Sequence, residues 1–298
     1  MDGFLNVLKP PGMTSSDVVM FVRKRLPRGV KVGHGGTLDP EAAGVLPVCV
    51  GKATRLFDYV IDKRKEYICQ LKLGVCTDTQ DATGQILEQN PVTVGERQVR
   101  EALPRMVGEI EQIPPAFSAI KRDGKRLYQL AREGKMECVE SRKIRVYEAE
   151  YLGDMGNNSH RIRFVCGKGT YIRTLCHDLG QMLGCGGHMA FLLRSKAGIF
   201  DVEQAHTLEE IQQAADEGRM ESMLQPLDAP LGGIAWARIG ENQRQRCLNG
   251  NPVRPEALSK EPETGDVFRI YCQEQFAGIG EWTAEGQVRF RAMLLGDK

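Results

Sequence analysis

The chain has 298 residues, of which 41% are hydrophobic and 27% charged, a composition typical of a globular protein with a substantial core. It contains no run of about 18 apolar residues and no basic, apolar sequence of the secretion type at its start, which argues against a membrane-spanning or secreted protein. Its nine cysteines include no C-x-x-C pair, which gives no support to zinc-knuckle or thioredoxin-like functions and favours reduced thiols in a cytoplasmic protein.

The net charge of +1 conceals an uneven distribution along the chain. Residues 1–198 carry 30 Lys and Arg against 22 Asp and Glu, whereas residues 199–298 carry 10 against 17. A basic larger part fits a polyanionic partner such as nucleic acid, although many enzymes have such an imbalance without binding one.

The first hundred residues predict a helix, an irregular loop and a strand. Thr14 and Asp17 have the spacing of a capping box, and apolar residues four apart predict a helix over 14–26. The glycine- and proline-rich stretch 31–47 predicts an irregular loop. Alternating side chains over 67–73 predict a strand with Tyr67 on its buried face.

Later segments predict further elements and a domain boundary. Alternation over 161–166 predicts a strand, and apolar residues four apart predict a helix over 170–183. Thr207 and Glu210 form a second capping-box pattern, which predicts a helix running toward Met223.

The segment 225–233 is the predicted domain boundary. Short strand-like runs with glycine-rich turns follow it, whereas helices and strands without regular βαβ alternation precede it. We therefore predict an α+β catalytic domain at 1–224 and a compact all-β module at 230–298.

Several common catalytic motifs are incomplete. Gly51-Lys52 lacks the first glycine and the hydroxyl residue of a phosphate loop, and Gly167-Lys168-Gly169 lacks the third glycine of a dinucleotide fingerprint. The histidines lack zinc-protease and zinc-deaminase spacings, and no Gly-x-Ser-x-Gly sequence occurs. We therefore expect an enzyme that uses no metal, no nucleotide cofactor and no nucleophilic serine.

The most informative segment is G-H-G-G-T-L-D-P at residues 33–40, which continues as E-A-A-G-V-L-P to residue 47. Its glycines permit unusual backbone angles and a close approach to a ligand. A single carboxylate, Asp39, precedes Pro40 here, and such a group can act as a nucleophile or a general base. Taken alone, the Asp-Pro-Glu sequence favours a simpler role for Asp39 as the cap of a helix beginning near Glu41.

This segment resembles the catalytic motif G-H-x-G-x-L-D-P-x-A-x-G-x-L-P of the TruB family of tRNA pseudouridine synthases. Four other segments resemble motifs of that family in the same order, namely K-P-P-G-M-T-S at 9–15, K-E-Y at 65–67, P-P-A-F-S-A-I-K at 114–121 and K-G-T-Y-I-R-T-L at 168–175. The small β module occupies the place of the family's PUA-like domain. Phe117 stands where the family commonly has tyrosine, and Leu193 where it commonly has arginine.

The resemblance implies a pseudouridine-synthase fold, with a central mixed or antiparallel sheet flanked by helices, and isomerisation of uridine at position 55 in the T arm of tRNA. It implies that Asp39 is the catalytic aspartate, acting at uracil C6, at ribose C1′ or on the C2′ proton. Arg173 would face this aspartate, and Tyr67 would stack on the target base. Without the resemblance, Arg173 fits a solvated helix residue and Tyr67 fits the core of a sheet.

Four supporting roles also follow from the resemblance. His34 would take the space vacated by an extruded base, and Leu192 would lie beside the pocket. Lys9 and Asp81 would support the pocket and organise Tyr67 or the backbone. A loop histidine bound to a backbone group and a packed core leucine remain the simpler alternatives for His34 and Leu192.

The family also has an RNA-clasping insertion, which corresponds to about residues 115–145 of this sequence. The segment 121–145 has nine Lys and Arg against four Asp and Glu. The candidate RNA-contacting residues are Lys121, Arg122, Lys125, Arg126, Tyr128 and Arg132. A solvated surface helix would have the same charges, and contacts to phosphates would make RNA binding weaken strongly with salt.

Two alternatives to this function are a tRNA-binding folding helper and a pseudouridine synthase that acts on ribosomal RNA. The joint presence of Asp39, Tyr67 and Arg173 favours catalysis over a folding helper, and the C-terminal module favours tRNA. The compact chain predicts an enzyme that acts alone on tRNA, with no guide RNA, no membrane and no cofactor.

Overall fold

A computed structural model describes residues 1–61, 63–115, 121–122, 125–126 and 140–296. The α-helices of these residues are α1 (Ser15–Arg23), α2 (Phe57–Ile61), α3 (Glu96–Ala102), α4 (Ile172–Met182), α5 (Leu208–Asp216) and α6 (Arg244–Leu248). The strands are β1 (Gly3–Lys9), β2 (Val32–His34), β3 (Ala43–Val50), β4 (Lys65–Leu73), β5 (Val75–Thr77), β6 (Ile86–Gln89), β7 (Gly108–Gln112), β8 (Lys121–Arg122), β9 (Lys125–Arg126), β10 (Arg142–Gly156), β11 (Ser159–Cys166), β12 (Gly187–Ala197), β13 (Phe200–Asp201), β14 (Ala235–Ile239), β15 (Ala257–Leu258), β16 (Val267–Cys272), β17 (Gln275–Trp282) and β18 (Val288–Met293).

A large mixed sheet forms the framework of the first two hundred residues. Its strands lie in the order β1-β3-β12-β4-β11-β10-β7, with β2 beside β3 and β13 beside β12. Strands β3 and β12 are parallel, and the other neighbours are antiparallel. Helices α3 and α4 pack on this sheet in one apolar cluster, and α1 and α5 pack on it in another. The predicted α+β architecture with a central mixed sheet is confirmed.

Local sequence signals account for several of these elements. Every second side chain of β4 is buried, beginning with Lys65 and Tyr67, as the alternation predicts. The Thr14 hydroxyl accepts the Asp17 amide at 3.1 Å and the Asp17 carboxylate accepts the Thr14 amide at 2.8 Å, which forms the predicted capping box at the start of α1. The second predicted capping box begins α5 in the same way.

The prediction of an irregular loop over 31–47 is wrong at both ends, since β2 and β3 occupy much of it. The two strands pair with each other, with His34 opposite Val48, and this nonlocal pairing keeps a glycine-rich stretch extended. The helix expected near Glu41 is also not formed. The chain turns there, with the Ala42 amide donating to the Asp39 carbonyl at 3.1 Å, and then enters β3.

Helix α5 ends before the predicted limit at Met223. Gly218 has φ of +69°, a left-handed conformation that terminates helices, and the Arg219 amide donates to the Ala214 carbonyl at 2.7 Å. A 3₁₀ turn at Met220–Met223 follows instead.

A second sheet lies in the C-terminal part, in the order β15-β14-β16-β17-β18. It encloses its own apolar cluster, and a third cluster joins it to the large sheet through residues such as Phe4, Leu56, Ile279 and Leu294. This sheet lies within 235–293, which supports our proposal that the chain divides into a catalytic domain at 1–224 and a PUA-like module at 230–298.

The eight cysteines in the described part of the chain are free and buried, as expected for reduced thiols. No helix among the described residues is both long and apolar enough to cross a membrane.

Candidate active site

Asp39 lies in the loop that connects β2 to β3. Leu38 and Ala42, on either side of it, are buried in the same apolar cluster as Tyr67 and Leu192. The Asp39 side chain itself remains 36% exposed. The loop therefore presents one carboxylate at the surface of the core, between two apolar side chains that fix its position.

Hydrogen bonds hold the backbone on both sides of Asp39. The hydroxyl of buried Ser15, at the start of α1, accepts the Leu38 amide at 2.9 Å and donates to the Leu38 carbonyl at 3.1 Å. The Pro40 carbonyl accepts the Gly12 amide at 3.0 Å and the Lys9 ammonium at 2.8 Å. The main chain at Asp39 has little freedom to move, which is the condition for a preorganised catalytic group.

Lys9 is fully buried, and it stabilises this backbone rather than contacting solvent. Its ammonium also donates to the carbonyls of Pro10 at 2.8 Å and Met13 at 2.6 Å. Burial lowers the Lys9 pKa to about 8, although the nearby carboxylates of Glu41 and Asp39 oppose this shift. Lys9 thus joins the turn after β1 to the loop that carries Asp39 through three main-chain carbonyls.

Arg194 is a second buried cation beneath the loop, and the sequence motifs assign it no role. It is 1% exposed, and its guanidinium donates to the carbonyls of Val45 at 2.7 Å, Thr37 at 3.2 Å and Gly36 at 3.3 Å. A Cβ at Gly44 would lie 2.2 Å from the Arg194 carbonyl oxygen, so only glycine allows β3 to approach β12 here. In the sequence, Arg194 appeared as a cation inside the apolar sequence F-L-L-R-S and as the neighbour of Leu193 in a segment that resembles a family motif, and neither signal reveals its contacts.

Arg173, on the first turn of α4, forms an ion pair with Asp39. Its Nε lies 3.0 Å from Asp39 Oδ2, and its Nη2 lies 3.4 Å from Asp39 Oδ1, so both carboxylate oxygens face the guanidinium. The Arg173 side chain is only 6% exposed, which weakens screening by water. The pairing implied by the family motif is present in the structure.

Asp81 is the second carboxylate that forms an ion pair with Arg173. Its Oδ2 lies 3.5 Å from Arg173 Nη1, and the same nitrogen donates to the Thr79 carbonyl at 3.2 Å. Asp81 Oδ1 accepts hydrogen bonds from the Thr79 hydroxyl at 2.7 Å and the Thr83 hydroxyl at 2.6 Å. Asp81 thus organises its own turn and Arg173, whereas Tyr67 is held by a different residue.

Tyr67 is 8% exposed and lies opposite Arg194 in the pairing of β4 with β12. Burial raises the pKa of the Tyr67 phenol, whereas Arg194, which hydrogen-bonds it, acts in the opposite direction. Leu192 is 5% exposed and pairs with Cys69. Cys69 is the next residue after Tyr67 on the buried face of β4. The side chains of Tyr67 and Leu192 belong to the cluster that contains Leu38, so they lie under the Asp39 loop.

His34 lies at the start of the loop that carries Asp39. It ends β2 and lines a cavity of about 430 Å³ between α1 and the segment that follows β3. Val19, Met20 and Phe57 line the same cavity. This position is next in sequence to the loop that carries Asp39.

The structure does not describe the side chains of the candidate RNA-contacting residues of the insertion. These are Lys121, Arg122, Lys125, Arg126, Tyr128 and Arg132. Phe117 also lies outside the described residues, whereas Leu193 is partly buried on β12. Among the described residues, no group of three or more His, Cys, Asp or Glu is arranged to hold a metal ion.

Comparisons with known proteins match most of the chain. The family model described as the TruB family pseudouridylate synthase N-terminal domain matches residues 23–172. Models described as the tRNA pseudouridylate synthase B C-terminal domain and the pseudouridine synthase II TruB C-terminal domain match residues 173–232 and 237–294.

Individual proteins give the same result. A tRNA pseudouridine synthase B from Alkaliphilus oremlandii is 44% identical over 284 residues, covering 94% of this chain and 93% of that protein. One from Ectopseudomonas mendocina is 43% identical, covering 99% of this chain and 95% of that protein. A chain in the structure of an H/ACA RNP bound to a substrate RNA containing 2'-deoxyuridine superposes with a TM-score of 0.74 at 25% identity, covering 99% of this chain and 85% of that one.

The pKa of Lys9 gives a stability test of the buried contact. The folded chain holds this pKa at about 8 and the unfolded chain near 10.5, so between these values the unfolded state binds more protons. The unfolding free energy of the wild type should therefore increase with pH, relative to Lys9→Met, from pH 8 to pH 10.5, as measured by urea unfolding. Exposed Lys24 is the matched control, as Lys24→Met. A difference between wild type and Lys9→Met that stays constant or decreases over this range would contradict the assigned burial.

Proposed function

The chain belongs to the TruB family of pseudouridine synthases, and we propose that it isomerises uridine at position 55 in the T arm of tRNA, with Asp39 as the catalytic residue. The observation that carries this proposal is the ion pair of Asp39 with buried Arg173 on a loop whose backbone is fixed on both sides. Names of relatives at 43–44% identity support tRNA as the substrate.

The reaction needs few protein groups. The bond between uracil N1 and ribose C1′ breaks, a bond between C5 and C1′ forms, the C5 proton leaves and N1 gains a proton. The products contain the same atoms as the substrate, so neither an oxidant nor a phosphoryl donor is required. Asp39 can attack C6, attack C1′ or remove the C2′ proton, and its exposed carboxylate is compatible with each of these routes.

Arg173 would hold the carboxylate of Asp39 ionised and in one orientation, since both of its oxygens face the guanidinium. Tyr67 would stack on the uracil, with its hydroxyl held by Arg194, and Leu192 would form the apolar side of the pocket. A uridine within a folded T loop must leave its stack to reach Asp39, and His34 would fill the space that it vacates.

The described surface offers a basic edge that suits an RNA backbone. We define this basic edge as Arg64, Arg142, Arg145 and Lys168. The guanidinium of Arg64 lies 3.9 Å from the centre of the Tyr147 ring, and that of Arg142 lies 4.6 Å from the centre of the Tyr171 ring. The edge adjoins the start of α4, which carries Arg173, so phosphates bound here would lie near the proposed active site.

We also propose that the chain acts without a guide RNA and in the cytoplasm, where tRNA is modified. This proposal is supported by relatives named as tRNA pseudouridine synthase B, which the chain matches over 93–95% of their own length. The similar chain in an H/ACA RNP is only 25% identical, so its assembly is not carried over to this protein.

The positional claim is tested with purified protein and a tRNA transcript, with no other RNA or protein present. Carbodiimide labelling followed by primer extension should reveal one pseudouridine, at position 55. A transcript with cytidine at 55 should give no stop. Pseudouridine at another position of the tRNA would reject position 55, and pseudouridine in a ribosomal RNA fragment but not in tRNA would reject the tRNA assignment.

The basic edge gives a binding test. Arg64→Ala combined with Arg145→Ala should weaken tRNA binding in filter assays. It should also reduce the steepness of log K against log salt by about 0.7 to 0.9 for each phosphate that the protein no longer neutralises. The control is Arg97→Ala combined with Arg219→Ala, which removes the same charge from exposed sites elsewhere. An equal decrease of affinity in the two double variants would mean that the edge has no special role.

A further inference from the structure

Gln112, the last residue of β7, binds the main chain of Tyr171 with both ends of its amide. Its Nε2 donates to the Tyr171 carbonyl at 3.0 Å, and its Oε1 accepts the Tyr171 amide at 2.8 Å. Gln112 is 1% exposed, so water does not compete for either hydrogen bond. A neutral amide is suited to this contact because it offers one donor and one acceptor side by side.

Tyr171 is the N-cap residue of α4, and its own side chain makes no capping hydrogen bond. Its carbonyl accepts the first helical hydrogen bond, from the Leu175 amide at 3.1 Å. Arg173 follows two residues later, on the first turn. By fixing Tyr171, Gln112 fixes the point at which the helix begins and hence the place from which Arg173 reaches Asp39.

A second residue holds the same turn from the neighbouring strand. Arg142, the first residue of β10, lies directly opposite Gln112 in the pairing of β7 with β10. Its guanidinium lies over the Tyr171 ring and donates to the Gly169 carbonyl. In sequence, Gln112 and Arg142 stand on either side of the segment 113–141, so both chain ends of that segment are fastened to the turn before Arg173.

We propose that Gln112 is a positioning residue for the isomerisation, which sets the Arg173–Asp39 geometry through the main chain of Tyr171. This inference rests on the proposed function, since it concerns the rate of that reaction. A catalytic group displaced by about 1 Å can cost up to about a hundredfold in rate, so removal of the amide contact should slow chemistry more than it weakens RNA binding.

The experiment compares Gln112→Leu and Gln112→Glu with wild type in single-turnover isomerisation of tRNA at saturating enzyme, alongside tRNA affinity. Gln112→Leu removes both hydrogen bonds and should lower the single-turnover rate about 10- to 100-fold, with the tRNA Kd changed by no more than about threefold. Gln243, in a 3₁₀ turn of the C-terminal part, bridges both main-chain groups of Arg254 in the same way, so Gln243→Leu is the matched control and should keep the wild-type rate.

The pH dependence of Gln112→Glu separates positioning from a general structural role. An ionised glutamate cannot donate to the Tyr171 carbonyl, whereas the protonated acid can, and burial favours the protonated form. The rate of Gln112→Glu relative to wild type should therefore increase about tenfold from pH 8 to pH 6, and the relative rate of Gln112→Leu should stay flat.

Three results would overturn the inference. The first is a wild-type rate in Gln112→Leu, or an effect that lies wholly in the Kd. The second is a relative rate of Gln112→Glu that does not change with pH. The third is loss of folded structure in both Gln112→Leu and Gln112→Glu, as measured by circular dichroism, which would make the residue necessary for folding. Wild-type protein without isomerase activity would be a separate result, the failure of the proposed function.

Discussion

The ion pair between Arg173 and Asp39 is the interaction on which the site depends. A guanidinium that is only 6% exposed must be compensated by nearby charge and hydrogen bonds, because burial of an unpaired cation is very unfavourable. Asp39, Asp81 and the Thr79 carbonyl supply this compensation from two separate loops. The carboxylate proposed for the chemistry therefore also stabilises the fold, and the start of α4, the Asp39 loop and the turn at Asp81 are held in one arrangement.

Two further buried cations give the Asp39 loop its rigidity. Lys9 and Arg194 do not pair with carboxylates at close range among the described contacts; each donates instead to three main-chain carbonyls around the loop. Three of these carbonyls, at Gly36, Thr37 and Pro40, belong to the glycine-rich segment between β2 and β3, where no neighbouring strand of the described chain donates to them. The result is a loop whose backbone is fixed before any substrate binds, so little reorganisation of the protein accompanies the reaction.

The sequence was sufficient for elements that depend on local patterns. The capping box at Thr14 and the alternation around Tyr67 both appear as predicted, because each depends on residues within a few positions of one another.

Features that depend on distant residues were not predictable in this way. Strands β2 and β3 form in a glycine-rich stretch only because they pair. The roles of Arg194 and Gln112 likewise depend on carbonyls more than 50 residues away, which no spacing in the sequence reveals. For Asp39, Arg173 and Asp81, family motifs supplied what local patterns lacked, and the contacts among them became visible only in the fold.

Release of tritium from tRNA labelled at uracil C5, measured with wild type and Asp39→Asn, tests the role of this carboxylate most directly. Asparagine keeps the size of the side chain but removes the carboxylate, so Arg173 keeps only Asp81 as a charged partner while the loop keeps its main-chain contacts. We expect wild type to release tritium from one uridine per tRNA, and Asp39→Asn to bind the same tRNA and release none above background. Tritium release by Asp39→Asn at a rate near that of wild type would contradict the central claim, because the reaction would then not depend on this carboxylate.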